Sequence, residues 1–314
     1  MSVTGPSSAQ LAVLYEHPQW FQPLFAALDR RGVAYAPIEL TAHVFDPGSG
    51  AVPAPLILSR VAQSSFLREP EHPIFYAAAL LDHWQRCGAN VLNGATTLAI
   101  DSSKARQLSL IRSLGLPTPQ TRVVHRVQDL PAAAEGMGYP LLVKANIGGS
   151  GAGIVRYSSA EEFGASLVEG MVPQSVDNVL LVQDFVPARG GKILRIETLR
   201  GRFLYALEIG TSGDTYDLCP ADARIVQAGR PAVQMSAIMP APEIVHAAEQ
   251  IAHAAHLFAG SVELIIDDRD GTPRFYDINA MSNFVADPMK VLGWDPHDRL
   301  IDALQAMMKG RQAA

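Results

Sequence analysis

Short apolar runs alternate with longer amphipathic segments along the first third of the chain. The runs have strand length, and the segments carry apolar residues at helical spacing and end at glycines. This alternation predicts a parallel sheet covered by helices. The predicted strands are 11–15, 33–40, 55–58 and one beginning at Val91; the predicted helices are 19–31 and 74–87, with a loop at 43–55.

In the remaining two thirds several predicted strands follow one another without a helix between them. Residues 192–200 and 203–209 flank a Gly-Arg pair, which predicts an antiparallel hairpin. Polar residues at 101–103, and the Ser159–Glu162 pair, are N-cap signals that predict helix starts. The other predicted strands are 139–144, 154–157, 179–186, 262–266 and 274–278; the helices run from the first cap to Leu114, from Ser159 onward, and over 242–258 and 296–309.

Composition places the chain among well-cored globular proteins, since 48% of its 314 residues are hydrophobic and 18% are charged. Its 25 basic and 31 acidic residues give a net charge of −6, so no nucleic-acid partner is expected. No apolar run approaches the roughly 18 residues of a membrane span, and the first residues lack a secretory pattern. Cys87 and Cys219 have neither metal nor disulfide spacing, so we expect reduced thiols in a cytoplasmic protein without membrane contact.

The segment Ile147-Gly-Gly-Ser-Gly-Ala-Gly153 is the strongest chemical signal in the sequence. Glycines let backbone N–H groups converge on an anion, as loops that cradle phosphates require. The loop joins two predicted strands, whereas a Rossmann or Walker loop would lead into a helix, and the GK[ST] signature is absent. We interpret it as a hairpin flap that closes over a triphosphate, with Lys144 at its base. An ordinary glycine-rich hairpin with a surface lysine is the alternative.

Three side chains with oxygen atoms lie within apolar strands near the C-terminus. Asp277 and Asn279 share one face of a strand because side chains alternate, and Tyr276 and Ile278 are expected to point into the core. Glu263 lies on the strand that an Asp-Gly turn would pair with this one. Such a cluster is costly without a cation, and Mg²⁺ prefers oxygen ligands and bridges to phosphates. The cluster therefore predicts a magnesium site; an edge hairpin whose acids face water is the alternative.

The glycine flap, the lysine and the acidic strand pair occur in a fixed order, and on these motifs the chain resembles the ATP-grasp superfamily, especially its RimK-like carboxylate–amine ligases. The segments that carry the resemblance are NGATTLAIDSSKARQLSLIRSLGLPTPQT, PLLVKANIGGSGAGIVRY, LLVQDFVP and SVELIID…FYDINAMSN. The resemblance implies an ATP-grasp α/β fold with an N-terminal parallel α/β domain, a glycine-flap α+β subdomain and a C-terminal α+β subdomain that holds the metal site. We expect these parts at residues 1–98, 99–187 and 188–314.

The resemblance also implies roles for individual residues. The metal ligands would be Glu263, Asp277 and Asn279, binding Mg²⁺ or alternatively Mn²⁺. Lys144 and Arg195 would be catalytic, with Arg195 holding an acyl phosphate. Backbone groups of the last linker residues would read the adenine edge. The expected ATP-binding residues are Lys104, Lys144, Gly148, Gly149, Ser150, Gly151, Gly153, Gln183, Asp184, Phe185, Val186 and Asp217.

Several positions depart from the pattern of the family. Gln183 replaces the usual Glu of the linker strand, Asp277 replaces a Glu at the second metal position, and Asp217 stands where the family has an Asn. The acidic residue that usually stands two positions before Arg195 is missing, because Ile193 occupies that place. This last departure gives weight to one alternative function, a nucleotide-binding regulator that does not catalyse.

The implied reaction transfers the γ-phosphoryl group of ATP to a carboxylate, and an amine then attacks the acyl phosphate to form an amide. The expected substrates are a small carboxylate, an amino acid or peptide, and an amine; a homodimer is an option that the sequence leaves open. A small-molecule kinase on the same fold is the second alternative. Outside the motifs, Arg60 follows a predicted strand and is a candidate for a substrate carboxylate or a surface arginine. His253 and His256 have ligand-like spacing, on a helix that is expected to pack as a core element.

Overall fold

The computed structural model describes residues 9–68, 72–149, 151–210 and 234–312, which form thirteen strands and nine α-helices. None of these helices is both long and apolar enough to cross a membrane. The strands are β1 (Leu11–Tyr15), β2 (Tyr35–Glu39), β3 (Leu56–Arg60), β4 (Asn90–Leu92), β5 (Thr121–Val124), β6 (Leu141–Ala145), β7 (Ile154–Tyr157), β8 (Leu180–Asp184), β9 (Lys192–Leu199), β10 (Arg202–Gly210), β11 (Met235–Ile238), β12 (Ala259–Ile266) and β13 (Pro273–Asn279). The helices are α1 (Gln22–Arg30), α2 (Pro73–Arg86), α3 (Ala95–Asp101), α4 (Lys104–Ser113), α5 (Leu130–Ala134), α6 (Ala160–Val168), α7 (Pro242–Ala254), α8 (Pro288–Val291) and α9 (Pro296–Gln312).

The N-terminal sheet has the strand order β2-β1-β3-β4, and all of its pairs are parallel. The residues of β3 are buried throughout and those of β1 nearly so, because elements cover both faces of the sheet. The alternation of strands and helices therefore predicted this sheet correctly. Its carboxyl edge carries Arg60, at the end of β3.

The other two sheets are antiparallel. The order β5-β8-β6-β7 forms the first, and the loop between β6 and β7 is the glycine segment. The order β11-β10-β9-β12-β13 forms the second, which carries the acidic strands. The predicted strand pairings of the glycine hairpin, of β9 with β10 and of β12 with β13 are thus confirmed.

One apolar core joins the N-terminal sheet to the C-terminal part of the chain. Leu11 and Leu58 of the parallel sheet share a cluster of buried residues with Leu207 of β10 and with Leu300 of α9. Arg31, which follows α1, donates to Asp302 of α9 at 2.6 Å. The carboxyl edge of the parallel sheet is therefore fixed relative to the acidic strands, although the two are far apart in sequence.

Five of the described strands and α-helices were not among those predicted from the residue pattern, and β11 and α8 are two of them. α3 adds a helix before the predicted cap, and β5 and α5 fill a stretch without a predicted element. Each is short, and β5 is an edge strand whose side chains are partly or fully exposed, so it lacks a strong apolar pattern. The predicted helix 19–31 is shorter as α1, which begins with a proline in its first turn.

A buried aspartate ties the turn between β12 and β13 together. Asp267 has no exposed surface and accepts hydrogen bonds from Arg269 (Nη2, 2.8 Å) and Arg274 (Nε, 2.7 Å). Arg269 also donates to Asp184 at 2.9 Å, so the turn is linked to the end of β8. The two guanidinium groups hold the pKa of Asp267 well below its usual range.

We expect Asp267→Asn to lower the free energy of unfolding by about 2 kcal/mol at neutral pH, because the buried acceptor loses its charge between two arginines. A lowered carboxyl pKa stabilises the fold fully at pH values above the unfolded pKa of about 3.9. This contribution is lost progressively as the pH falls from that value through the lower pKa of the folded state. Denaturant unfolding at pH 7 and pH 3 measures both effects. Asp270→Asn, which removes an exposed partner of Arg274, is the control and should change stability by less than about 1 kcal/mol. Equal losses in the two variants would contradict the role of Asp267.

Candidate functional site

Strand register places the predicted metal ligands beside one another. Glu263 of β12 lies opposite Asp277 of β13 on one side and opposite Arg195 of β9 on the other. Asn279 is two residues beyond Asp277, and its Nδ2 is 3.3 Å from Asp277 Oδ2 and 3.5 Å from Glu263 Oε1. The structure therefore brings together two carboxylates and one amide. Carboxylate and amide oxygens are hard donors, which is the chemistry that Mg²⁺ prefers, so this donor set fits the ion.

The expectation that Tyr276 and Ile278 share one face is wrong: Ile278 belongs to one apolar cluster, whereas Tyr276 is partly buried against another. The pairing of β12 with β13 is irregular after Glu263, so that Asp277 faces Glu263 while Phe275, not Tyr276, faces Leu264. Such a bulge adds a residue to one strand and interrupts the simple alternation of faces. The hydroxyl of Tyr276 consequently donates to Glu263 Oε2 at 3.0 Å. Ile278, in contrast, is fully buried in the core as expected.

Two lysines from different elements reach the same cluster. Lys104, the first residue of α4, places its Nζ 3.1 Å from Asp277 Oδ1. Gln107, one turn further along α4, fixes this approach, since its side chain exchanges two hydrogen bonds with the backbone of Ile278. Lys144 of β6 lies 5.8 Å (Nζ) from the centre of the Tyr276 ring. Both lysines are buried beside the acidic strands.

Burial makes the ionisation of this cluster unusual. Desolvation, aided by the charge of Lys104, lowers the pKa of Lys144 to about 7. Desolvation also raises the pKa of Glu263, and Asp277 adds to this effect whereas Arg195 opposes it. Ionisable groups with strongly shifted pKa values are typical of functional sites, because a charged ligand that binds there can change their protonation state. The cluster is therefore suited to a ligand that carries both negative charge and a cation.

Arg195 does have acidic partners, contrary to the departure noted in the sequence. Its Nε donates to Glu197 Oε1 at 2.8 Å and its Nη1 to Glu263 Oε1 at 2.9 Å. Residues two apart share a face of a strand in either direction, so Glu197 can pair with the arginine as an acid two positions before it would. Ser282 completes the arrangement, because it donates to Glu197 and accepts from Arg195.

The glycine segment folds back over the base of the hairpin. Gly153 has a φ of +70°, and a Cβ on it would lie 2.7 Å from the Cβ of Ala145. Gly149 lies against Ser64, near the carboxyl edge of the parallel sheet. A Cβ added to Gly149 would lie 2.6 Å from the Cβ of Ser64. A Cβ on Gly148 would lie 3.8 Å from Cε of Lys104. The glycines thus allow a close approach between the hairpin, the parallel sheet and the lysine; Ser150 and Asp217 lie outside the described residues.

We expect Gly149→Ala to prevent this approach and to weaken ATP binding about tenfold, because the added methyl group overlaps Ser64. The measurement is the dissociation constant for ATP by calorimetry. Gly164→Ala is the matched control, since a Cβ there meets nothing within 4 Å in α6. Adding Ser64→Gly to the first variant should restore part of the affinity. Unchanged binding in Gly149→Ala would contradict a flap that closes on Ser64.

The linker after β8 offers fewer backbone donors than the sequence implied. The amide of Asp184 donates to the carbonyl of Gln120 at 2.9 Å, and that of Phe185 to the carbonyl of Pro140 at 3.3 Å. Among the described residues, the amide of Val186 has no such acceptor. Gln183 is buried and donates to Thr121 Oγ1 at 2.8 Å. An adenine ring at this linker would therefore rely on the amide of Val186 for its backbone donor, which stays a prediction.

Asn146 is a positioning residue that the sequence reasoning missed. Its carbonyl accepts from the amide of Lys104 at 3.2 Å, and its Oδ1 accepts from Ala105 at 2.9 Å. Its Nδ2 donates to Asp177 at 2.6 Å. The residue joins the base of the flap to the first turn of α4, so the two lysines keep their relative places. Because Ser103 supplies a local cap for α4, the residue pattern does not predict a second cap from another element.

The two spaced histidines do not lie on one helix, because α7 ends at Ala254 and His256 lies in the turn after it, whereas His253 is in the last turn of α7. Within the described ranges, no group of three or more His, Cys, Asp and Glu side chains could hold an ion. The residues of α7 that face inward are apolar and belong to a buried cluster. The helix therefore packs as a core element, as expected.

Comparison with known proteins shows partial sequence relatives. No family model matches the chain. It is 32% identical over 130 residues to a D-alanine–D-alanine ligase of Pseudomonas entomophila, covering 41% of this chain and 38% of that protein. It is 28% identical over 135 residues to a probable alpha-L-glutamate ligase of Thioalkalivibrio sulfidiphilus, covering 43% of this chain and 44% of that protein. The matched segments thus span less than half of these relatives.

The likeness of the folds extends over nearly the whole chain. The solved structure of the ATP-grasp ligase PsnB with a variant of its minimal precursor, Mg and ADP superimposes with a TM-score of 0.71. It covers 96% of this chain and 99% of that one at 17% sequence identity. The protein therefore has the ATP-grasp fold, and the resemblance to ATP-grasp ligases that its motifs indicate is confirmed.

Proposed function

We propose that the protein is an ATP- and Mg²⁺-dependent ligase that joins a carboxylate to an amine through an acyl phosphate. The observation that carries the proposal is the convergence of Lys104, Lys144 and Arg195 on the pair Glu263 and Asp277 beneath the glycine hairpin. The names of the partial relatives, D-alanine–D-alanine ligase and alpha-L-glutamate ligase, support the same reaction class.

ATP would lie between the glycine hairpin and the acidic sheet, with its triphosphate against the two lysines. Backbone amides of the hairpin and the ammonium groups then neutralise the phosphates, and positioning with charge neutralisation supplies most of the catalysis in phosphoryl transfer. We also propose the three-part division at 1–98, 99–187 and 188–314. The observation that each part contains one of the three sheets supports it.

Glu263, Asp277 and Asn279 would hold Mg²⁺. When bound, the ion supplies Lewis-acid stabilisation of the charge on the phosphoryl group that is transferred. Without a nucleotide, Lys104 pairs with Asp277 and Arg195 pairs with Glu263. With Mg²⁺ on the carboxylates, Arg195 and Lys104 would be free to turn toward the phosphate oxygens of ATP.

Arg195 would hold the acyl phosphate, since a guanidinium group binds a phosphate by two parallel hydrogen bonds. Glu197 and Ser282 fix the orientation of the guanidinium group through its Nε and Nη2. The closed hairpin excludes water, which would otherwise hydrolyse the acyl phosphate before the amine attacks. The contact of Gly149 with Ser64 supports such a closure.

The regulator alternative loses its sequence basis, because Glu197 and Glu263 supply the acidic partners of Arg195. The test is release of ADP and phosphate from Mg·ATP with pooled carboxylates, with pooled amines and with both. Free phosphate that forms only when a carboxylate and an amine are both supplied, on two molecules or on one amino acid that carries both groups, would indicate a ligase. Phosphate retained on an acceptor from one pool would indicate the kinase, and tight ATP binding without any turnover would indicate the regulator.

A further inference from the structure

Arg60 is a buried charge that the proposed reaction does not use. It ends β3, at the carboxyl edge of the parallel sheet, where α/β sheets commonly bind ligands. Only 2% of the residue is exposed, so the interpretation as a surface arginine is wrong. Phe21 lies under the guanidinium group, with its ring centre 5.7 Å from Cζ.

The guanidinium group is only partly satisfied. Its Nη2 donates to the carbonyl of Ser282, while among the described residues Nε and Nη1 have no hydrogen-bond partner. Burial lowers the pKa of Arg60 to about 10, which still leaves it charged at neutral pH. Buried charges are normally paired and hydrogen-bonded, and each unsatisfied donor is unfavourable. The missing partner is therefore expected to be an anion that can accept two hydrogen bonds.

The acid that acts on Arg60 electrostatically does not fill this role. Glu197 attracts the guanidinium group but directs its Oε1 to Arg195 (2.8 Å) and to Ser282 (2.7 Å). Its Oε2 makes no hydrogen bond to any described residue. Arg60 is thus linked to the reaction site through Ser282 and Glu197, while Arg195 makes the direct contact with Glu263. Ser282 therefore contacts Arg60 through its carbonyl, and Arg195 and Glu197 through its hydroxyl.

We propose that Arg60 binds a carboxylate of the substrate that takes no part in the reaction. This inference rests on the proposed ligase function and specifies its substrates, because one of them must carry a carboxylate besides the one that is activated. A dicarboxylic acid, or an amino acid or peptide that serves as the amine, meets this requirement. A guanidinium group matches the geometry of a carboxylate through parallel N–H donors, whereas an ammonium group does not.

The first test uses the wild-type protein without ATP, so it does not depend on the ligase activity. The side-chain Nε–H signals of its arginines are followed by NMR during titration with sodium acetate, acetamide and sodium chloride. Arg60→Lys identifies the signal by its disappearance, and exposed Arg86, paired with Asp82, is the internal reference. We expect acetate to shift the Arg60 signal to saturation while the other two solutes leave it unchanged. An unmoved Arg60 signal, or equal shifts with acetamide or chloride, would overturn the proposal.

The second test uses the substrates that the pooled assay selects. Arg60→Lys should raise the KM for the substrate with the second carboxylate at least tenfold and leave the KM for ATP within about twofold. Arg86→Lys is the control and should change neither value. An unchanged KM for both substrates would refute the role of Arg60. If no substrate pair is found, the ligase proposal fails and the acetate titration alone decides whether Arg60 is a carboxylate site.

Discussion

Asp277→Asn is expected to lower kcat/KM for ADP formation about a thousandfold, because several kcal/mol of charge stabilisation depend on the metal and about 1.4 kcal/mol corresponds to a factor of ten. The substitution keeps the size of the side chain but removes the charge opposite Glu263 and beside Lys104. It also leaves Glu263 as the one carboxylate of the proposed ligand set, which disfavours a divalent cation. The effect should therefore fall on turnover and on the Mg²⁺ concentration required.

The measurement is coupled ADP release at increasing Mg²⁺ with the substrate pair that supports turnover. Asp270→Asn is the matched control, since Asp270 lies in the turn of the same hairpin and its side chain is half-exposed. It should retain activity within about twofold. If Asp277→Asn keeps wild-type turnover at the same Mg²⁺ concentration, Asp277 does not bind the metal and the site is wrongly assigned.

Lys144→Met is expected to weaken ATP binding about thirtyfold near pH 7, which is the value of a charge-assisted hydrogen bond of roughly 2 kcal/mol. In the wild type the affinity should also depend on pH. Because the pKa of free Lys144 is about 7, the ammonium form becomes scarce above that pH. A bound triphosphate favours the charged form, so binding takes up a proton and the dissociation constant rises roughly tenfold per pH unit between pH 7.5 and 8.5.

The lowered pKa of Lys144 also makes the stability of the fold depend on pH. Folding favours neutral Lys144, so the cost of burying its charge is present below pH 7 and disappears as the pH rises toward the unfolded value of 10.5. Lys144→Met should therefore be more stable than the wild type at pH 6, and its ATP affinity should lose the Lys144-linked slope. Calorimetric titrations at several pH values measure both slopes. Lys192→Met, which removes a half-exposed lysine paired with Glu208, is the control. Parallel slopes in the wild type and Lys144→Met would contradict the assignment.

Much of the site followed from the alternation of side chains along strands. This rule placed Asp277 and Asn279 on one face, and the Asp-Gly turn brought Glu263 opposite Asp277. The glycine loop was identified as a hairpin because strands, not a helix, flank it on both sides. These features are local, and local patterns are what a sequence expresses most directly.

The errors arose where a local pattern is interrupted or where distant elements meet. The bulge after Glu263 turned Tyr276 toward the site, and a single extra residue leaves the sequence pattern unchanged. Glu197 follows Arg195, whereas the family pattern has its acid before the arginine, so the pattern did not predict this partner. The buried Arg60 donates to the carbonyl of Ser282, which lies 222 residues further along the chain, so the local sequence around Arg60 does not predict its burial.

Transfer of ¹⁸O from a labelled carboxylate to phosphate tests the proposed chemistry most directly. The labelled carboxylate oxygen attacks the γ-phosphorus of ATP and becomes the bridging atom of the acyl phosphate. When the amine attacks the carbonyl carbon, the bond from that carbon to the bridging oxygen breaks and the label leaves with phosphate. A ligase of this kind produces inorganic phosphate with one ¹⁸O atom per amide formed. Phosphate without ¹⁸O, released while amide accumulates, would contradict an acyl-phosphate ligase.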